Sequence, residues 1–178
     1  YVRQQEKKHD KKIKMSLTTN GMLLDKEMVK YLTDNHISLI LSLDGRKEMH
    51  DSMRPGVNNE GTYDRIVKNL QYCIKHRNGE EYYVRGTFTR QNLDFTTDVE
   101  DMLNHGFPAV SMEPVVGDDT ADYSIKESDL PRVKDEYDKL AKFFIKREEE
   151  GNPFFFFHFN MDLWRGPCLP KRLRGCGA

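Results

Sequence analysis

Residues 37–43 read ISLILSL, with apolar side chains at Ile37, Leu39, Ile40, Leu41 and Leu43 and no steady polar alternation. A strand of this kind has no polar face to turn to water, so both of its faces must be covered. That is the condition inside a parallel sheet, whose crossover connections lay helices across it. The flanking sequence offers such connections. Residues 13–19 (IKMSLTT) read as an earlier strand stopped by Asn20-Gly21, and Asp25 can cap a helix that places Met28, Val29 and Leu32 on one face. Beyond the ISLILSL run, Thr62 is expected to cap a helix carrying Ile66, Val67, Leu70, Cys73 and Ile74 at helical spacing, ended by Gly79.

The alternation continues. Residues 82–89 (YYVRGTFT) are rich in strand formers, and residues 98–104 form a helical pattern with Val99, Met102 and Leu103, stopped by Gly106. A short strand is expected over 108–113. Ser124-x-x-Glu127 has the form of a capping box opening a long helix with Leu130, Val133, Tyr137, Leu140, Ala141 and Phe144 on one stripe. Gly151 closes it, and an aromatic strand, PFFFFHF, is expected at 153–159. Strands alternating with helices imply right-handed βαβ units on a parallel α/β sheet, as an open doubly wound sheet or as a barrel. In both, ligand chemistry gathers at the carboxyl ends of the strands. Those ends hold Thr18, Thr19 and Asn20, then Ser42 and Asp44, then residues 85–90, and then Glu113.

Composition narrows the partners. At 178 residues, 32% charged and with a formal net charge of −1, the chain offers no electrostatic case for nucleic acid or an anionic membrane surface. No apolar stretch approaches the roughly 20 residues of a spanning helix, and no signal-peptide pattern opens the sequence. Three cysteines argue against a disulfide framework and for a reducing, cytoplasmic setting. The sequence starts at Tyr1 in a charged helical pattern and stops just after Cys176, which reads as part of a longer protein.

Several residues carry two readings. Asn20-Gly21 and Asp44-Gly45 are ordinary turn dipeptides as well as site candidates. Cys73 belongs to an apolar helix face and reads as core. Arg85, inside an apolar strand, would need an anion if buried, either an internal carboxylate (Asp44, Glu113) or a bound one. His50-Asp51 reads as part of a hydrated loop, residues 154–157 as core on both faces, and His158 as a neutral core histidine. Cys168 and Cys176 differ from Cys73, because GPCLPKRLRGCGA is punctuated by Gly and Pro and its cations favour thiolates. No phosphate loop, nucleophile elbow or HExxH helix is present.

Four motifs occur in order: TTNG at 18–21, SLDG at 42–45, HDxxRP at 50–55 and GTYDRIVKNL at 61–70. Together they resemble the radical S-adenosylmethionine (SAM) enzymes of the SPASM subgroup, over most of the chain. VSMEPVV at 110–116, NPFFFFHFNMDLWRGPC and KRLRGCGA look closer still to the SCIFF-peptide maturases, which form thioether cross-links in small cysteine-rich precursors. Anaerobic sulfatase-maturating enzymes, which make formylglycine, share SLDG and HDxxR.

The resemblance implies the C-terminal portion of a partial (β/α)6 barrel over 1–152, with 153–178 leading into a SPASM-type auxiliary cluster domain. It sets Thr19, Asn20, Ser42 and Asp44 near SAM, Arg85 on the SAM carboxylate, and Glu113 toward SAM or substrate. Cys168 and Cys176 become ligands of an auxiliary [4Fe–4S] cluster. It implies a small cysteine-rich precursor peptide as substrate and an electron donor such as flavodoxin or ferredoxin. The CxxxCxxC that holds the SAM-cleaving [4Fe–4S] cluster is absent from the sequence, and is expected upstream of Tyr1. This stretch alone is therefore expected to be unable to cleave SAM. A non-radical barrel enzyme using Asp44, His50 or Glu113 as acid or base is the alternative.

Overall fold

The computed structural model describes residues 1–77, 81–118 and 120–161. Among them five strands alternate with helices: α1 (Val2–His9), β1 (Met15–Thr19), α2 (Lys26–Asp34), β2 (Ile37–Ser42), α3 (Lys47–Met53), α4 (Tyr63–Lys75), β3 (Tyr82–Phe88), α5 (Phe95–Asn104), β4 (Ala109–Pro114), α6 (Leu130–Glu149) and β5 (Phe155–Phe156). The strands form one sheet in the order β1-β2-β3-β4-β5, and every neighbouring pair is parallel. Because parallel crossovers share one hand, a strand order that never reverses keeps the covering helices on one face. This is the winding of a barrel segment and not of a doubly wound sheet.

The covered face holds the core. Leu39, Leu41 and Leu43 follow one another at alternate positions of the second strand and its end, each no more than 1% exposed. They join Val84, Phe88, Val110, Met112 and Phe156 from the other strands, and Ile66, Leu70, Val99 and Leu140 from the helices, in one apolar cluster. Each such leucine or phenylalanine contributes about 2–3 kcal/mol through burial. Cys73 is part of this core. Asp25 caps α2 as its sequence position implies, accepting the Met28 N–H at 2.8 Å.

Five expectations need correction. Residues 47–53, expected as a hydrated loop, form α3, and His50 is fully buried. Thr62 precedes α4 without capping it; the Asp51 carboxylate, reaching across from α3, accepts the N–H groups of Thr62 (2.7 Å) and Tyr63 (2.9 Å). The Thr62 hydroxyl is turned the other way, donating to the Arg54 carbonyl and meeting His50 Nε2 at 3.2 Å. The capping box also shifts. Asp129 accepts the Lys126 N–H, while the Ser124 hydroxyl bonds the Asp118 carbonyl.

The aromatic strand shortens to Phe155–Phe156 and passes into a 3-10 turn at Phe157–Asn160. Its side chains alternate: Phe154 and Phe156 are buried, Phe155 and Phe157 exposed, so only one face of that run is core. Arg85 is the last correction. It is exposed, because it points to the face of β3 opposite Val84 and Gly86, away from the helices. Gly79, Cys168 and Cys176 lie outside the described residues, as does most of the expected auxiliary domain.

Candidate functional site

The candidate site is the face of the sheet turned away from the apolar core, near the strand ends. In-register partners on parallel strands point the same way, so one row of polar side chains crosses three strands: Ser42 of β2 pairs with Arg85 of β3, which pairs with Ser111 of β4. Two residues further along, on the same face, Thr87 pairs with Glu113. Ser42 is half-buried and Arg85 exposed. Ser42, Arg85 and Glu113, picked from strand ends in the sequence, are thus brought together on one surface.

Glu113 is the most elaborated member. The Ser111 hydroxyl donates to Oε1 at 2.6 Å, and His158 Nε2 lies 3.0 Å from Oε2. His158 Nδ1 is in turn 3.0 Å from the Tyr137 hydroxyl on α6. Burial opposes the charge on Glu113, but the bonds from Ser111 and His158 and the nearby charge of Arg85 outweigh it, and its pKa lies below the ordinary value. Burial and the Glu113 charge together push the Tyr137 hydroxyl up to about 12. His158 is therefore a bridge between carboxylate and phenol, where the sequence suggested a core histidine. Tyr137 was visible only as part of an apolar stripe. The available signal was its hydroxyl, which needs a partner once the ring is packed against Phe88 and Phe95.

Asp44 behaves differently. Only 4% exposed, its carboxylate accepts the Thr87 N–H at 2.9 Å and a two-point bond from Arg54. Its own N–H goes to His50 Nδ1 at 3.2 Å, and His50 Nε2 meets Thr62 Oγ1 at 3.2 Å. SLDG and HDxxRP are therefore two halves of one clasp. It ties the segment after β2 back onto the end of β3. Burial drives the His50 pKa below its ordinary value, with the Arg54 charge acting the same way and those of Asp44 and Asp51 against it. A fully buried imidazole with both nitrogens engaged is not placed to act as acid or base on a ligand.

Gly45 completes this turn. It has φ +87°, and a Cβ there would lie 2.2 Å from the Asp98 Cβ. Asp98, fully buried on α5, accepts from Arg46 (2.7 Å) and Asn92 (2.9 Å), yet burial still lifts its pKa above the ordinary value. The sequence reading missed this group. The signal was a carboxylate at helical spacing with the buried Phe95 and Met102.

Thr19 and Asn20, at the end of β1, use their side-chain oxygens on the turn that follows, accepting the N–H groups of Gly21 and Met22. Asn20 also borders a cleft of about 380 Å³ whose other wall is formed by Arg54, Pro55 and Val57. Among the described residues, no group of three or more His, Cys, Asp or Glu side chains could hold a metal ion, and the described cysteine, Cys73, is buried with its pKa raised by that burial. An iron–sulfur cluster does not fit these residues. Nor is any described helix long and apolar enough to cross a membrane.

A cysteine-type anaerobic sulfatase-maturating enzyme of Clostridium novyi is 33% identical over 62 residues, 35% of this chain and 17% of that protein. The chain resembles the radical SAM enzymes. A second match is the Fe-coproporphyrin III synthase of Methanosarcina barkeri, 32% identical over 95 residues, 53% of this chain and 23% of that protein. Among solved structures, the anaerobic sulfatase-maturating enzyme anSMEcpe, with AdoMet and a peptide bound, superposes with a TM-score of 0.75 at 22% identity, over 89% of this chain and 45% of that one. At that identity the shared feature is the fold. The chain spans under a quarter of the curated relatives it matches and under half of the structural one. No protein-family model matches the sequence.

Proposed function

We propose that this chain is the part of a radical SAM enzyme that binds SAM and positions a cysteine-containing peptide for modification. The observation that carries the reading is the register row Ser42–Arg85, an exposed guanidinium beside a half-buried hydroxyl at the carboxyl ends of adjacent parallel strands. Arg85 takes the SAM carboxylate through charge-assisted hydrogen bonds, and Ser42 supplies a hydroxyl to the amino-acid or ribose portion. Thr19 and Asn20 border the same end of the sheet. Asp44 serves by position, since Arg54 and Thr87 already engage its carboxylate.

None of the described residues fits an iron–sulfur cluster. The role open to them is to bind, orient and exclude water, with radical formation belonging to the cluster-bearing parts of the whole enzyme. Cys168 and Cys176 are proposed ligands of an auxiliary cluster, and a flavodoxin or ferredoxin the proposed electron donor.

The modification we favour is thioether cross-linking of a small cysteine-rich precursor, supported by the likeness of the 152–168 segment to SCIFF-peptide maturases. Formylglycine formation is the second reading, favoured by the curated sulfatase-maturating relatives. Mass spectrometry of peptides co-expressed with the full-length, cluster-loaded protein separates them. A cysteine-rich peptide that loses two hydrogens per cross-link, with its sulfur retained, supports the first. Loss of sulfur from a sulfatase-type peptide supports the second, and unchanged masses for both remove the peptide-modifying role. Arg85→Ala is expected to weaken SAM binding at least about tenfold, as befits loss of a charged hydrogen-bonding partner; unchanged affinity would refute the SAM assignment.

A further inference from the structure

Glu113 lies beyond the Ser42–Arg85 pair, on the next strand and two residues nearer the strand ends. Its carboxylate is held at both oxygens, by Ser111 on Oε1 and by His158 on Oε2. The direction of the second bond follows from the carboxylate: ionised Glu113 can only accept, so His158 Nε2–H donates to it, and Nδ1 is left to face the Tyr137 hydroxyl at 3.0 Å. Each Glu113 oxygen retains a second lone pair, and the side chain is 25% exposed.

Nearer the strand starts, beyond the polar row, this face becomes aromatic. Tyr83, two residues before Arg85 and so on the same face, stacks on Phe157 at 6.0 Å, and exposed Phe155 pairs in register with Ala109. An ionised, acceptor-only group fixed in place, with aromatic side chains further along the same face, suits the N–H groups of a polypeptide, whose side chains can lie on the rings. It suits proton abstraction poorly, because a carboxylate stabilised in its charged form is a weak base.

We propose that Glu113 is a substrate-contacting residue that accepts hydrogen bonds from N–H groups of the bound peptide, with His158 and Tyr137 as its positioning residues. The proposal rests on the SAM-and-peptide reading above and assigns one side of the site to the peptide. The Glu113 contact transfers no proton or electron.

The test uses the full-length protein and three probes: SAM, a cysteine-containing sulfatase-type peptide and a synthetic cysteine-rich peptide. Affinities are measured by calorimetry, with circular dichroism to verify folding. Glu113→Gln is expected to raise the Kd of whichever peptide binds by about tenfold or more, with the SAM Kd unchanged within about twofold. His158→Phe and Tyr137→Phe are expected to weaken the same peptide, and the Glu113→Gln/His158→Phe double variant to be no worse than Glu113→Gln alone. Such non-additivity is the signature of residues acting through one group. A Glu113→Gln protein that loses SAM affinity and keeps peptide affinity would overturn the assignment, as would additive losses in the double variant for the positioning roles. Wild-type protein that binds SAM but neither peptide also overturns it. Failure of the wild type to bind SAM sinks the SAM reading instead, and leaves the Glu113 effect on peptide affinity as a separate result.

Discussion

Arg54 grips Asp44 at two points, with Nε on Oδ2 and a terminal nitrogen 3.2 Å from Oδ1, across ten residues of sequence. The guanidinium lies at the rim, with 36% of its side chain exposed, while the carboxylate is nearly sealed beneath it. The pair closes the segment between β2 and α4 over the strand ends, and so shapes the edge on which Ser42 stands.

Removing one partner strands the other. Arg54→Ala should destabilise the protein by about 2–3 kcal/mol, below the full cost of an unpaired buried charge because the guanidinium is partly solvated. Adding Asp44→Asn should recover part of the loss. Urea melts of the single and double variants check this; additive losses would mean that the pair is not coupled.

His50 makes stability depend on pH. Burial holds its folded pKa below the ordinary value of 6.5, so the unfolded chain binds the proton more readily. Its contribution is present above about pH 6.5 and is lost as pH falls toward the lower, folded value. The melting temperature of the wild type should drop across that window, and His50→Gln should flatten the slope. Equal slopes for both proteins would contradict the burial argument.

Gly45 should tolerate no side chain. Its positive φ and the Asp98 contact both act against a Cβ, and Gly45→Ala is expected to cost about 2–4 kcal/mol, combining backbone strain and displacement of a buried group. A chemical-denaturation midpoint close to the wild-type value would show that α5 can move aside.

Asp51 caps α4 through two N–H groups at once. Asp51→Ala should cost about 1–2 kcal/mol, whereas Thr62→Ser, which keeps the hydroxyl, should cost less. Hydrogen exchange at the Thr62 and Tyr63 amides reports the cap directly, and unchanged protection in Asp51→Ala would rule it out.

Among the described residues, the edge strand β1 pairs only with β2, and Leu17 is 42% exposed. By itself this 178-residue chain should therefore self-associate with rising concentration. Leu17→Lys should reduce that tendency, and sedimentation that stays monomeric for both would contradict it.

Much of this was legible in one dimension. The period of the apolar residues distinguishes doubly covered strands from one-faced helices without reference to any contact, so the alternation, the parallel sheet and the strand ends carrying Ser42, Arg85 and Glu113 follow from local pattern. The likeness to radical SAM enzymes was equally legible, in motifs that keep their order along the chain. What local pattern cannot weigh is competition between partners distant in sequence. Thr62 looks like a cap until Asp51 arrives from another helix, and His50 looks solvated until Asp44 and Thr62 enclose it.

Arg85 shows the same division. Its strand is predictable from its neighbours, but whether its face is buried depends on which side the helices cover, and the unreversed strand order decides that. Sequence alone thus determined the elements and the polar residues at their tips. Tertiary structure alone decided that Asp44 is spent inside the fold while Glu113 is braced by Tyr137 through His158, because burial and hydrogen-bond satisfaction are properties of assembled surroundings and not of any segment.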